Sequence, residues 1–386
     1  LAEFVVIGGG IVGSAVAWGL ARRGGDVVLV ERDHLASGAS GGPGWRGVRA
    51  NHRDIRELPL AARAYELWPV LDELLGFPTE YRRIGSLQLG EEGTAGLTGG
   101  RMSLEARRWS QESAGIPTSI LSVEELAERQ PGLGPDVRWA LYCPLDGVAD
   151  HAATTRAFAQ AAAQEGADIQ EGVEALRIRA EGEGRTVVET QGGAVTAQRA
   201  VFVLNNWRAR SLLKDSFGMD LPIWRIFPQM NFVRPPNGVL LPYLIGHESR
   251  PLSIKSVAGL GVMLSGGRTG AWDDGTGNST ALEETFEANL ADAAAVLPGL
   301  ENSAFLFSDT SRSESCCVDG IPIVDRLPTD GAVFVGTGWT GHGFAIAPAV
   351  AECLVEWALS DRRPTALAPF SLGRMPALKT GASAVP

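Results

Sequence analysis

At 386 residues the chain exceeds what one ordinary hydrophobic core organises, so two domains, consecutive or interleaved, are expected. Its 45% hydrophobic and 20% charged residues describe a globular protein, and no run approaches the roughly 20 uninterrupted apolar residues of a membrane span. A net charge of −11 argues against a general nucleic-acid or anionic-membrane surface.

Glu3-Phe4-Val5-Val6-Ile7 runs into Gly8-Gly9-Gly10-Ile11-Val12-Gly13, and Asp26-Val27-Val28-Leu29-Val30-Glu31 follows. This order predicts a strand, a Gly-x-Gly-x-x-Gly turn, a small-residue helix and a second strand ending on an acid. Gly8 permits the tight turn, Gly10 lets the backbone approach a pyrophosphate, and Gly13 lets the helix pack closely on the sheet. The diphosphate would sit on the N–H groups of the helix that begins at Ile11 and Val12. Glu31 is placed to accept from both ribose hydroxyls and would repel a 2′-phosphate, which leaves FAD or NAD. Arg32 beside it and Ala175 in a later strand are further candidate contacts.

Asp54–Leu75 reads as an amphipathic helix that Pro59 and Pro69 kink or divide. A short strand is expected at Gly85–Leu89, and helices at Leu104–Ala114, at Ser122–Arg129 behind a Ser-x-x-Glu capping box, and at Thr154–Glu165. Strands at Ala167–Ile169, Ala175–Ala180, Thr186–Thr190 and Arg199–Leu204 look like a return to the nucleotide-binding sheet. From Leu221 to Gly267 short strands at Phe232-Val233, Val239–Ile245, Leu252–Ser256 and Val262–Ser265 predict an antiparallel sheet. A helix at Leu282–Val296 follows. Strand Ala332–Val335 then enters a second glycine turn, Gly336 to Gly343, ahead of an apolar helix at Ala347–Leu359. One dinucleotide could contact both ends of the chain.

Cys143, Cys316, Cys317 and Cys353 are spaced for neither a disulfide framework nor a zinc site. No metal is expected, no signal peptide is read ahead of the first strand, and a reducing cytoplasm is the expected compartment.

Three blocks in this order resemble the FAD-dependent D-amino acid oxidase superfamily, in its branch of sarcosine oxidases, glycine oxidases and dimethylglycine or opine dehydrogenases. They are Val5–Glu31 with Ser37-Gly38-Ala39-Ser40, then Asp319-Gly320-Ile321-Pro322-Ile323-Val324, then Gly338–Phe344. Weaker similarity continues through Trp45–Gly90 and Gln130-Pro131-Gly132, so the resemblance spans essentially the whole chain. It implies an α/β fold: a Rossmann-like FAD-binding domain of the glutathione reductase type, with an α+β second domain whose mixed or antiparallel sheet roofs the flavin. The expected division is 1–80, 145–215 and 305–386 for FAD, and 81–144 and 216–304 for substrate. The chemistry implied is hydride removal from a carbon bearing nitrogen, giving an imine that hydrolyses. The substrate is an amino acid or a secondary or N-methylated amine; the electron acceptor is oxygen or another oxidant.

The resemblance also assigns residues. Arg46 and Arg49 match a pair placed near flavin and substrate carboxylate. Gly338, Gly341, His342, Gly343 and Phe344 form the C-terminal flavin contact, in which Gly341 and Gly343 offer backbone N–H groups to the flavin pyrimidine ring. Ser37 and Ser40 stand beside the flavin. Arg312 occupies the offset of the flavin-linking Cys of covalent sarcosine oxidases, which argues for noncovalent FAD and frees Arg312 as a carboxylate anchor. Adjacent Cys316 and Cys317 read as packing residues, with a redox or flavin-linking role as the alternative. Met263 stands where family oxidases can carry an oxygen-activating Lys, so a dehydrogenase becomes as plausible as an oxidase. Ala345 replaces a carboxylate-holding Lys, with Lys255 or Arg225 as replacements. Trp45, Trp207, Trp224 and Trp339 suggest an aromatic pocket. Two other functions remain open: a 2-hydroxy acid dehydrogenase, and a noncatalytic FAD-binding subunit of a larger dehydrogenase.

Overall fold

The computed structural model describes residues 1–91, 104–182, 184–236, 238–273, 275–329 and 332–375. An eight-stranded sheet carries five parallel neighbours, in the order Val333–Thr337, Gly193–Val203, Ala2–Ile7, Val27–Glu31 and Asp168–Glu171. Antiparallel strands Ala175–Gly182, Arg185–Thr190 and Ile323–Arg326 complete it. The central strands are continuous apolar runs because both faces are covered. Phe4, Val6, Leu29, Phe202 and Phe334 pack under helices Ile11–Ala21, His151–Gln164 and Gly343–Ser360. Val5, Ile7, Val30, Val203 and Val335 alternate with them and meet Leu212 and Leu213 of helix Ala209–Phe217 on the other side.

A second eight-stranded sheet runs Ala304–Asp309, Met230–Arg234, Gly261–Ser265, Ser253–Val257, Leu244–His247, Ser86–Glu91, Val137–Cys143 and Ser119–Leu121. Its neighbours are antiparallel except for Leu244–His247 beside Ser86–Glu91. Leu87, Leu89, Ile245, Ile254, Val262 and Leu264 pack one face against Leu126, Ala293 and Val296 from helices Val123–Arg129 and Glu283–Val296. Period-two alternation sends Gln88, Leu244, Lys255 and Met263 to the other face, over a large cavity.

The expected breaks occur. Helix Leu58–Leu67 takes Pro59 in its first turn, and a 3-10 turn at Trp68–Val70 containing Pro69 separates it from Leu71–Leu75. The capping box forms reciprocally between Ser122 and Glu125. The strand expected at Val239–Ile245 is confined to Leu244–His247. Trp45–Val48, Val137–Cys143 and helix Ala209–Phe217 had no expectation.

Helix Gly343–Ser360 is long and apolar enough to cross a membrane by length and composition, but it is a core helix. Ala347, Val350, Leu354 and Val355 are buried in the core it shares with the first helix. Its start is tied down by Trp68, whose Nε1–H donates to the Ala345 carbonyl at 2.8 Å and whose ring meets Tyr81 and Phe344. Trp68→Ala opens a large cavity and orphans that carbonyl; a loss of about 3–5 kcal/mol is expected in urea unfolding.

Candidate active site

Parallel pairing matches Ile7 with Val30 and Val203, and Val203 with Val335, so these strands end on one edge. The turns that follow them meet there. They wall a cavity of about 930 Å³ whose far side is the polar face of the second sheet. Gly8, Gly10, Ile11, Val12, Glu31, Arg32, Ser37, Ser40 and Ala175 all line it, as do Gly341, His342, Gly343 and Phe344. Gly13 and Gly338 do not. A Cβ on Gly13 would lie 1.9 Å from the Gly8 carbonyl oxygen, so its part is close packing of helix on strand. Gly338 has a φ of 70° and donates its N–H to Ser315 Oγ at 3.0 Å, which holds the turn together.

The arginine pair divides its work. Arg46 is wrapped by the glycine loop, donating from Nε to the Ser40 carbonyl at 3.1 Å, from Nη1 to Gly44 at 3.2 Å and from Nη2 to Gly42. Burial, then the Arg312 guanidinium, lowers its pKa to about 10. Arg49 lines the cavity and makes no hydrogen bond or ion pair with a described residue. Its Nη1 lies over Gly246, where a Cβ would approach within 3.2 Å. Lys255, on the next strand, is buried, lines the cavity and is likewise without a described partner. Burial, then Arg46 and Arg49, holds its pKa well below the ordinary lysine range.

Met263 is the cross-strand partner of Lys255, so the cation absent at Met263 has one beside it on the same face. Arg225, the other replacement named from sequence, is surface-bound among Trp207, Phe227 and Trp272, its guanidinium carbon 4.1–4.5 Å from their ring centroids. Arg312 is also misplaced by the sequence reading: it is exposed, lies outside the cavity wall and donates to the Ala36 carbonyl at 3.2 Å. The aromatic pocket reduces to Trp207 and Trp339; Trp224 is exposed, and Trp45 stacks with Arg82. Of Cys316 and Cys317, only Cys316 faces the cavity. Burial, then Glu314, pushes its thiol up to about 11.

Several carboxylates and histidines of the site had no sequence signal, because ionisable side chains outside a motif default to the surface. Glu57, fully buried, accepts from His342 Nδ1 at 2.9 Å. This leaves Nε2 as the lone-pair nitrogen of a neutral ring, consistent with a pKa lowered by burial and by Arg53. Glu314 accepts from Ser40 Oγ at 2.7 Å and from the Gly341 backbone, joining the N-terminal loop to the C-terminal turn. Asp146 accepts from the Ala50 N–H at 2.8 Å and from the Tyr65 and Ser86 hydroxyls, fixing the segment that carries Arg49. At the rim, Arg107 holds Glu248 at 2.8 Å and donates to His52 Nδ1 at 2.9 Å.

The family model described as DAO, FAD dependent oxidoreductase, matches residues 3–357. The chain belongs to this family. It is 28% identical to glycine oxidase of Geobacillus kaustophilus, over 96% of this chain and 97% of that one. The crystal structure of that glycine oxidase superposes with a TM-score of 0.80, at 25% identity over 96% and 98% of the two chains. Monomeric sarcosine oxidase of a Bacillus species is 24% identical over 98% of this chain and 97% of its own. L-proline dehydrogenase from P. horikoshii shares the fold, with a TM-score of 0.85 at 24% identity over 96% of each chain.

The cradle fits the FAD of this family. Nothing lies within 4 Å of where a Gly10 Cβ would stand, so the helix N-terminus is open to a close-approaching diphosphate. Glu31 is fixed at the strand end, accepting from the Gly9 N–H at 2.7 Å and the Asp33 N–H at 2.9 Å. Those two bonds leave lone pairs for ribose hydroxyls. Cavity volume is at the upper end of the roughly 300–1,000 Å³ typical of ligand sites.

His151 is buried at the cavity wall, and burial followed by Arg46 and Arg312 lowers its pKa from 6.5 to about 3. Unfolding lets it take up a proton that the folded state refuses. Stability is therefore expected to fall as pH drops from 6.5 toward 3. His151→Asn should narrow the gap between urea midpoints measured at about pH 7 and about pH 4.5.

Proposed function

We propose that this oxidoreductase oxidises a C–N bond in an amino acid, or in a secondary or N-methylated amine that carries a carboxylate. The observation that carries the reading is the pair Arg49 and Lys255, two basic groups over adjacent strands of one cavity face that have no hydrogen-bond or ion-pair partner among the described residues. A substrate carboxylate would satisfy both. Glycine oxidase and sarcosine oxidase among the relatives support nitrogen-bearing substrates. Bound FAD supplies the two-electron acceptor. The chain's own part is to hold the carboxylate at Arg49 and to exclude water with the sheet wall. His342, held by Glu57, lines the same cavity.

Noncovalent FAD fits the Cys316 thiol, which its raised pKa keeps protonated and a poor nucleophile. Four free cysteines are in keeping with a reducing cytoplasm. The two sheets are in keeping with an FAD-binding unit of 1–80, 145–215 and 305–386 and a substrate unit of 81–144 and 216–304 except at one boundary: strand Ala304–Asp309 pairs with Met230–Arg234 and goes with the substrate unit.

Anaerobic titration with amino acids, N-methylated amines and hydroxy acids, followed by the visible flavin band, tests the reading. Bleaching by an amine is expected, and admission of air then separates oxidase from dehydrogenase. Bleaching by hydroxy acids alone would replace C–N with C–OH oxidation; bleaching by none would favour a noncatalytic, partner-dependent role. Arg49→Ala is expected to keep FAD yet bind a carboxylate competitor about 10- to 150-fold more weakly, the roughly 1.5–3 kcal/mol of a charged hydrogen bond.

A further inference from the structure

Lys255 occupies the middle of the cavity face of the second sheet, 5% exposed and directly across from Met263. Gly246, over which Arg49 lies, pairs with Ser253, two residues before Lys255. That diagonal spacing is about 7–8 Å in an antiparallel pair, within the reach of two long side chains converging on one small anion. Among the described residues the charges that bear on Lys255 are Arg46 and Arg49, both positive. The neighbours from the other strands of this face are Met263, Gly246, Leu244 and Gln88, and none is charged. Burial, with Arg46 and Arg49 beside it, thus disfavours a third cation here and shifts the Lys255 amine toward its neutral form, which carries a lone pair.

An amino acid arrives as a zwitterion, and its ammonium nitrogen has no lone pair with which to form C=N. On the C–N reading above, we propose that Lys255 accepts the proton of the substrate ammonium and, once charged, holds the substrate carboxylate together with Arg49. One substrate N–H bond breaks and one Nζ–H bond forms. No electron is transferred in this step, and the charge of the site is unchanged. FAD held in the cradle would supply the acceptor for the hydride of the neutral amine, and Lys255 returns its proton to solvent after product leaves. Arg49 cannot take this role, since a guanidinium does not give up its proton in this pH range.

The test uses the FAD-loaded protein and two kinds of measurement. Propionate, a carboxylate without an ammonium, should draw about one proton per site from solution as it binds, read by calorimetry in buffers of different protonation enthalpy. Lys255→Arg keeps the cation but cannot accept a proton, so it should bind propionate without uptake. Its anaerobic flavin reduction by the amine substrate should be slower by on the order of 100-fold at neutral pH. That rate should recover about tenfold per pH unit as substrate ammonium is titrated in solution. Lys255→Met should show the same loss together with weaker propionate binding. The inference is overturned if wild-type protein binds propionate without proton uptake, or if Lys255→Arg matches the wild-type rate and pH profile. Failure of every amine to reduce the wild-type flavin would instead overturn the C–N reading, and the proton count with propionate distinguishes the two failures even if a variant does not fold.

Discussion

Backbone hydrogen bonding among strands remote in sequence fixes where everything else in the site can be. Ala2–Ile7 lies between Val27–Glu31 and Gly193–Val203, which in turn carries Val333–Thr337 on its far side. Parallel pairing gives all four strands one direction, so every chain exit from them opens on the same edge. The Gly8–Gly13 turn, the acid at Glu31, the Asn205–Trp207 segment and the Gly341–Phe344 turn become neighbours without touching one another through their own sequence. Shifting one register would withdraw its turn from the cavity.

Onto that edge the protein adds carboxylates, Glu57 and Asp146 buried and Glu314 half-buried, each paired with donors drawn from a different part of the chain. Glu57 meets His342, Glu314 bridges Ser40 and Gly341, and Asp146 gathers Ala50, Tyr65 and Ser86. A carboxylate out of water is costly unless its oxygens are filled, so these three tolerate few alternative arrangements of the segments they join. They also shape the cationic field. Arg46 spends its donors on loop carbonyls, whereas Arg49 and Lys255, without a partner among the described residues, face the cavity.

Backbone-level features were largely legible in the sequence. The first glycine turn, the kinks at Pro59 and Pro69 and the Ser122–Glu125 capping box follow from local rules, and the structure contains them. Resemblance carried Arg46, Arg49 and the C-terminal turn to the right neighbourhood but not to their separate tasks. What distinguishes the two arginines is whether Gly41, Gly42 and Gly44 fold around a guanidinium, and that is a property of the loop in three dimensions. Arg312 read as an anchor from its offset in the family pattern and Arg225 from its charge; one binds the carbonyl of buried Ala36 and the other is stacked on rings. Glu57, Glu314 and Asp146 were silent, since their partners lie up to 285 residues away.

The strand order has a consequence for how the protein is made. Residues 2–7 and 27–31 leave the ribosome early, yet the strand beside Gly193–Val203 is not synthesised until residues 333–337. The helix that covers both the first helix and the sheet comes later still. The N-terminal half must therefore wait with apolar strand edges uncovered, a situation in which chains tend to stick to one another. Such long-range pairing is also slow to form. Ligand that engages both glycine turns at once would select the completed molecule over those unfinished ones. Yield in a recombinant host should thus be governed by chaperone supply and flavin availability during synthesis more than by the stability of the finished fold.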